Sequence, residues 1–317
     1  MLLRRQFRWP TRRTAAFGIL ALLVVSSLSW YLGGAGLFCA RYFANYQSMT
    51  DGINPVHEQL SRYMTTYDNA TNEIGLVLAA RKHEGLTWVL EYCRDHGTIP
   101  FVYTTDANPA PHLLTPRTIR GREATAYLSF IIDYYDRLPS YTFFVHSDHD
   151  QWHNDLFGPH TGPILRNLRL EAVDARGYLN LRCEHEPGCP TSVQPWSPSN
   201  LDKRNRDIRA YFAEVYQILF DVPADQVPEQ IGNVCCAQFA VSRARILQRP
   251  RSDYERMLRW ADETKLTDSF GVGWVFEKIW HIIFGMEAIY CPRYEQCRCD
   301  AYGWCGPLVS GETLTAV

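Results

Sequence analysis

Residues 146–155 read His-Ser-Asp-His-Asp-Gln-Trp-His-Asn-Asp, and six of these ten side chains are His or Asp. Asp148 and Asp150 flank a single residue directly after an apolar run. Two carboxylates so placed can bind Mn²⁺ or Mg²⁺ while a diphosphate fills the other coordination positions. His146 and His153 are further candidate ligands. The alternative is a hydrophilic turn, since Asp is common in turns, but the histidines around the two acids favour a metal site.

Two predicted helices carry other reactive groups. Gly121-Arg122-Glu123 opens one of them, and because a helix N-terminus attracts anions, Arg122 or Arg120 is a candidate phosphate contact; an exposed basic turn is the alternative. Glu277 and His281 are four residues apart in a mostly apolar helix, so they share a face. Glu277 is a candidate general base and His281 a candidate metal ligand. A hydrogen-bonded pair inside the core is the alternative.

Alternating strands and helices are predicted to position these groups. Short apolar runs at 74–80, 99–103 and 141–145 are typical of buried parallel strands, and helical periodicity covers 84–96 and 122–135. This order predicts an α/β fold with a mainly parallel, Rossmann-like sheet flanked by helices. Ligands bind at the carboxyl ends of such strands. We therefore expect one cleft to be faced by four side chains from two of the loops: Asp106, Asp148, Asp150 and His153.

The second half of the chain is predicted to be more helical. Amphipathic patterns predict helices at 205–220, 254–261 and 270–284, with a strand at 234–240 between the first two.

The N-terminal 40 residues predict a membrane anchor. Residues 1–13 contain five arginines and no acid, and residues 14–40 carry no charge. About 20 apolar residues suffice to cross a bilayer, and the arginines predict a cytosolic N-terminus. A cleaved signal peptide is the alternative. The sequence therefore predicts a single-pass protein of the Golgi or endoplasmic reticulum membrane. Its predicted segments are a cytosolic tail (1–13), a transmembrane signal-anchor in the lipid bilayer (14–40), a stem (41–73), a lumenal α/β domain (74–305) and a loose tail (306–317).

Cysteines and a glycosylation sequon agree with a lumenal location. Asn69-Ala70-Thr71 is a glycosylation sequon. Clustered cysteines are typical of disulfides in an oxidising compartment, with a zinc site as the alternative. Cys183 and Cys189 bracket a short loop and are a candidate pair, whereas Cys235 and Cys236 are adjacent and are not expected to pair with each other. The other disulfide candidates lie within 15 residues near the C-terminus: Cys291, Cys297, Cys299 and Cys305.

Composition excludes several classes of protein. The 317 residues are 46% hydrophobic, enough to bury a core, which excludes disorder of the whole chain. A net charge of −2 gives no basic excess, so we expect no nucleic-acid partner. The mean hydropathy of −0.25 excludes a protein with many membrane spans. Aromatic residues make up 13% and suit a large core or a cleft that stacks on a flat ligand.

Several stretches resemble a mainly fungal family known as domain of unknown function 3431. They cover roughly residues 75–305, and the family name implies no activity. The matching stretches are GREATAYLSFIIDYYDRLPSYTFFVHS, WHND, GYLNLRC with GCP, CCAQFAVSRARILQRPRSDYERMLRW, and VFEKIWHIIFG.

The order of elements is also similar, more loosely, to that of GT-A type glycosyltransferases. This resemblance implies that Asp106 contacts a nucleoside, that Asp148 and Asp150 hold the metal with the sugar diphosphate, and that Glu277 is the base. A single anchor with a lumenal domain is a common layout of such enzymes. The resemblance implies transfer of a sugar from a nucleotide-sugar donor, with Mn²⁺ or Mg²⁺, to a glycan, lipid or small-molecule acceptor.

Two other functions are compatible with the sequence. A metal-dependent hydrolase or oxidase would use His146, His149, His153 and Asp155. A non-catalytic secretory membrane protein would keep the shape of a glycosyltransferase for binding alone.

Overall fold

A computed structural model of the protein describes residues 54–67, 74–81 and 83–317. The predicted cytosolic tail, signal-anchor and most of the stem, with the sequon at Asn69, lie outside the described residues. Within the described ranges, no helix combines the length and the apolar character that crossing a membrane requires.

A five-stranded sheet lies at the centre of residues 55–317. Its strands stand side by side in the order β2-β1-β3-β6-β4, and β5 and β7 form a separate two-stranded sheet. The strands are β1 (Ile74–Ala80), β2 (Ile99–Thr104), β3 (Tyr141–His146), β4 (Tyr178–Asn180), β5 (Gly232–Asn233), β6 (Phe239–Ser242) and β7 (Ile289–Tyr290).

The sheet is mixed: its first three strands in chain order are parallel, as predicted, and two strands in antiparallel pairing complete it. β1 runs parallel to β2 and to β3, but β6 runs antiparallel to both β3 and β4. Phe239, at the start of β6, pairs with Phe144 near the end of β3. The segment that precedes β6 therefore lies at the same edge of the sheet as the loop that follows β3.

Helices cover both faces of the sheet, which confirms the α/β class. Alternate residues of a strand point to opposite faces, so Phe143 packs in one core cluster and Phe144 in the other. The helices are α1 (Pro55–Met64), α2 (Thr87–His96), α3 (Glu123–Asp133), α4 (Thr161–Asn167), α5 (Leu170–Arg176), α6 (Asn200–Asn205), α7 (Phe212–Phe220), α8 (Arg243–Leu247), α9 (Arg251–Glu263), α10 (Ser269–Ile283) and α11 (Tyr294–Tyr302). Short 3₁₀ turns span Tyr135–Arg137, Ile208–Tyr211 and Ala224–Gln226.

Two predicted elements begin later in the structure than in the sequence pattern. The predicted helix 205–220 is a 3₁₀ turn followed by α7, because Arg206 has a φ of 52° that ends α6 and Asp207 starts a new turn by accepting from the Arg209 N–H. The predicted strand 234–240 begins only at Phe239. Cys236 and Ala237 have φ values of 101° and 52°, which an extended strand does not accommodate.

Four disulfides confirm that the C-terminal cysteines are bonded. They are Cys183–Cys297, Cys189–Cys291, Cys299–Cys305 and Cys235–Cys236.

Three of these pairings correct two expectations drawn from the sequence. Cys183 and Cys189 each bond to the C-terminal region and not to each other. Cys235 and Cys236 do bond to each other. Neighbours in an extended chain point to opposite sides, but the positive φ of Cys236 removes this pair from extended backbone.

Residues 306–317 contain neither helix nor strand. Several hydrogen bonds connect them to the rest of the domain: for example, the Leu314 N–H donates to the Cys305 carbonyl (2.7 Å), and the Val317 N–H donates to Asp300 Oδ1 (3.1 Å).

Candidate functional site

A cleft of ≈ 730 Å³ lies at the carboxyl ends of the three parallel strands. Arg81 follows β1, Thr105 follows β2, and Ser147 and Asp148 follow β3, and all four line it. The chain passes from β1 to β2 on one side and then to β3 on the other side of β1. Crevices at such a change of direction are the usual ligand sites of open α/β sheets.

The structure brings some of the predicted site residues into this cleft. Arg122, Asp148, His153 and Glu277 line it. Three others lie outside its lining: Asp106, Asp150 and His281. Asp106 comes directly after Thr105 and is half-buried, and its backbone N–H donates to the Thr104 hydroxyl at 3.4 Å.

The side chains of Asp148 and Asp150 lie in different surroundings. Asp148 is exposed in the cleft, whereas the carboxylate of Asp150 accepts a short hydrogen bond from His160 Nδ1. Residues 149–161 fold back on themselves: the Thr161 N–H donates to the His149 carbonyl and the Gln151 N–H to the Pro159 carbonyl, both at 2.9 Å. This pairing turns Asp150 toward His160 and away from Asp148.

Asp150 instead belongs to a cluster with His149 and His160. One ligand atom from each of these three residues lies within 4.8 Å of the others, so they are candidates to hold a metal ion. The imidazole rings, however, are stacked nearly parallel with centroids 4.4 Å apart. A ligand ion lies in the plane of each imidazole that binds it, so one ring must turn before both can bind one ion. Burial, and then the nearby His160, lower the pKa of His149.

His146 and His153 lie side by side in the cleft, with ring centroids 5.3 Å apart. His146 Nε2 is 2.7 Å from the Cys236 carbonyl oxygen, which only accepts, so Nε2 carries the proton. Burial, followed by His146 and Arg182, lowers the pKa of His153 to about 3. His153 is therefore a neutral imidazole except in strong acid.

Asp155, the remaining member of the His/Asp segment, has a structural contact. Its Oδ2 accepts from the backbone N–H groups of Cys183 (2.9 Å) and Glu184 (2.6 Å). It therefore fixes the chain that carries the Cys183–Cys297 disulfide.

The shared helix face of Glu277 and His281 extends from the cleft into the core. Glu277 lines the cleft, and its Oε1 is 2.7 Å from Lys278 Nζ. His281, one turn later, is 0% exposed, and its Nε2 donates to the Ala288 carbonyl at 3.1 Å. Its buried Nδ1 contacts no hydrogen-bond partner among the described residues. Burial lowers the pKa of His281 to about 4, so this ring is a neutral core side chain.

The two arginines at the start of α3 have different contacts. Arg120 donates to the backbone carbonyls of Asp262, Thr264 and Thr267 at 2.8, 2.7 and 2.8 Å. Arg122 is exposed in the cleft, with its guanidinium 4.8 Å from the centroid of the Phe270 ring. Arg120 thus fixes the segment that leads into α10, while Arg122 is available to a ligand.

The N-termini of α3 and α10 meet at the cleft through a glycine. Gly121 has a φ of +99°, and its N–H donates to the Ser269 hydroxyl at 2.9 Å. A Cβ at this position would lie 2.7 Å from Val272 Cγ1. Only glycine therefore allows α10 to approach α3 this closely, which places the N-termini of both helices at one wall of the cleft, that of α10 being capped by the Asp268 carboxylate.

Several lining residues were missed by the sequence analysis. The Ser147 hydroxyl donates a short hydrogen bond to Glu84, whose Oε2 also accepts from the Arg81 N–H at 2.8 Å. Cys236, Trp152 and Phe270 line the cleft as well. Trp152 lies inside the His/Asp segment, where an aromatic residue among polar ones was the available signal. The position of Cys236 depends on the direction of β6, which no local pattern indicates.

Comparison with known proteins assigns the chain to a family. Residues 76–300 match the family model described as protein of unknown function (DUF3431), and the chain belongs to that family. No curated protein and no solved structure matches the chain.

Proposed function

We propose that this chain is a glycosyltransferase-like enzyme of the secretory pathway that transfers a sugar from a nucleotide-sugar donor to an acceptor hydroxyl. The observation that carries the proposal is the cleft of ≈ 730 Å³ at the carboxyl ends of β1, β2 and β3. Its volume lies in the range of sites that enclose ligands of this size, about 300–1,000 Å³. Its lining combines cations suited to a diphosphate with carboxylates suited to a metal and to a hydroxyl.

The diphosphate of the donor fits the wall formed by the start of α3. Arg122 is the N-cap residue of α3, and its side chain makes no capping hydrogen bond. Backbone N–H groups at a helix start, with an arginine beside them, favour phosphate oxygens. The nucleoside would then lie toward β2, where Thr105 lines the cleft and Asp106 follows it.

Asp148, which follows β3, is suited to a divalent metal ion that binds together with the donor diphosphate. Mg²⁺ is commonly held by one or two carboxylates together with substrate phosphates, and Asp148 supplies one such carboxylate. Asp150 is engaged with His160, so it does not add a second carboxylate at this point. A divalent cation (Mn²⁺ or Mg²⁺), when bound, neutralises charge on the leaving diphosphate. Asp148 would orient that diphosphate against Arg122.

Glu277 is positioned to act as the general base. It lines the same cleft, and Lys278 holds its carboxylate. The acceptor hydroxyl oxygen would form a bond to the anomeric carbon as the bond from that carbon to the diphosphate oxygen breaks. The electron pair leaves with the diphosphate, and Glu277 accepts the hydroxyl proton, which gives inversion at the anomeric carbon.

The disulfides support the proposed location. Four disulfides among the described residues are typical of a protein that folds in an oxidising compartment. Together with the arginine cluster before residues 14–40, they support a single-pass Golgi or endoplasmic reticulum protein with its C-terminal part in the lumen.

A thermal-shift screen of the purified full-length chain tests the proposed function. UDP-, GDP- and CMP-sugars are added with and without Mn²⁺, and we expect one donor to raise the melting temperature only with the metal. Arg122→Ala should abolish the shift, whereas Arg94→Ala, exposed on α2 outside the cleft lining, should preserve it. The proposal is wrong if no nucleotide-sugar binds under either condition.

A further inference from the structure

The cleft combines a polar lining with large apolar side chains that are exposed. Trp152 is 75% exposed, Phe270 55% and Ile119 42%, and all three line it. Trp152 is the most exposed aromatic side chain among the described residues. An exposed indole beside carboxylates and histidines is suited to a ligand that has both an apolar face and polar edges.

Contacts on one side hold Trp152 in place. The Arg182 guanidinium lies 5.9 Å from the centroid of its ring, and the His153 ring lies 5.4 Å away at 82°. Arg182 is itself fixed, because it donates to the carbonyls of His153 (2.6 Å) and Glu184 (3.1 Å). An aromatic surface ordered before binding loses little conformational entropy when a ligand stacks on it.

The disulfide between Cys235 and Cys236 makes one wall of the cleft rigid. The bond closes a small ring that includes the peptide between the two residues, so neither side chain can rotate freely. Cys236 lines the cleft, and its carbonyl is fixed by His146 Nε2. Cys235 and Cys236 are 4% and 9% exposed, so this ring acts as a rigid support for the wall of the cleft beside His146.

The order of the strands places Trp152 and Cys236 at one end of the cleft. Trp152 follows β3 and Cys236 precedes β6, whereas Thr105 follows β2 on the far side of β1. If the nucleoside lies toward β2, the end between β3 and β6 is left for the second substrate. That end offers the Gln151 side-chain amide as a hydrogen-bonding group.

We propose that the β3–β6 end of the cleft is an acceptor subsite for a saccharide. The C–H face of a pyranose would stack on Trp152, whose ring face carries partial negative charge, and its hydroxyls would reach Gln151. An uncharged sugar ring has both apolar C–H groups and hydroxyls, and this end of the cleft has both apolar and polar side chains. The inference rests on the proposed function for the role of acceptor, although saccharide binding is measurable without it.

The test uses the purified full-length chain and a panel of soluble trisaccharides of mannose, glucose, galactose or N-acetylglucosamine. Binding is measured by saturation-transfer NMR and by tryptophan fluorescence. We expect at least one trisaccharide to bind. Trp152→Ala should lower the affinity for that trisaccharide about tenfold or more, because a tenfold loss corresponds to about 1.4 kcal/mol of stacking free energy. Trp152→Phe should recover part of the affinity, and nucleotide-sugar binding should not change.

A matched variant separates stacking from general effects of losing a tryptophan. Trp196 is 44% exposed and lies outside the cleft lining, so Trp196→Ala should bind the trisaccharide normally. The inference is overturned if no trisaccharide binds, or if Trp196→Ala weakens binding as much as Trp152→Ala. Trisaccharide binding through Trp152 without nucleotide-sugar binding would reject the transferase and retain the saccharide site. Nucleotide-sugar binding without trisaccharide binding would reject the saccharide site alone.

Discussion

Replacing Arg120 with alanine should destabilise the domain, whereas replacing Arg122 should not. Arg120 donates three hydrogen bonds of 2.7–2.8 Å to backbone carbonyls, one in the last turn of α9 and two in the segment between α9 and α10. The site is partly exposed, so we take about 1 kcal/mol for each bond, within the usual net range for hydrogen bonds. Arg120→Ala should then lower the free energy of unfolding by about 3 kcal/mol.

The melting temperature converts this loss into a measurable shift. For a domain of this size, 1 kcal/mol corresponds to roughly 2–4 °C, so Arg120→Ala should melt roughly 6–12 °C lower. Arg122 loses only an exposed contact with the Phe270 ring, worth about 0.5–1 kcal/mol. Its alanine variant should melt within roughly 4 °C of the parent.

Differential scanning calorimetry of both variants at pH 7 provides the measurement. Arg120→Lys is a useful third variant, because one ammonium does not span three carbonyls as a planar guanidinium does; it should melt between the parent and Arg120→Ala. Equal melting temperatures for Arg120→Ala and the parent would refute the reasoning. So would a loss in Arg122→Ala as large as that in Arg120→Ala.

Four other measurements test the fold and the site. Burial lowers the pKa of His281 from 6.5 to about 4, so protonation favours the unfolded chain and stability should fall as the pH drops from 6.5 to 4. Urea titrations should show that the free energy of unfolding of His281→Gln falls by about 3 kcal/mol less than that of the parent over this interval. Equal losses would contradict the assignment of His281 as a neutral core side chain. Asp148→Asn should abolish Mn²⁺-dependent binding of a nucleotide-sugar in calorimetric titrations and Asp150→Asn should retain it; the reverse result would reject Asp148 as the ligand. Replacing Cys189 and Cys291 together by serine should cost about 2–5 kcal/mol in denaturant unfolding, and non-reduced peptide mass spectrometry showing both as free thiols in the parent would refute the bridge. Protease digestion of intact microsomes should leave the C-terminal part uncut; its degradation without detergent would reject the predicted topology.

Local patterns predicted the elements that build the parallel half of the sheet. The apolar runs at 74–80, 99–103 and 141–145 lie in β1, β2 and β3, because buried parallel strands consist of continuous apolar residues. The position of the cleft followed from the same pattern, since helices connect these strands and return the chain to one edge. Arg122 and Asp148 lie in the cleft for this reason.

The parts that were not predicted depend on contacts between distant residues. The direction of β6 is set after an excursion of the chain from residue 147 to 238, and it places Cys236 beside His146. Asp150 turns away from Asp148 because it pairs with His160, ten residues later. The two-residue spacing of Asp148 and Asp150 indicates only that both acids follow a strand. It does not indicate with which residue each carboxylate forms a hydrogen bond.

Two of the disulfides also affect how the protein is made. Cys183 and Cys189 precede their partners, Cys297 and Cys291, by 114 and 102 residues. At translation rates of about 5–20 residues per second, both thiols leave the ribosome roughly 5–20 seconds before the native partners exist. During that interval each has the other as a nearby partner, so we expect a transient bridge between them. The native Cys183–Cys297 and Cys189–Cys291 bonds would then form by thiol–disulfide exchange after residues 291 and 297 have been synthesised.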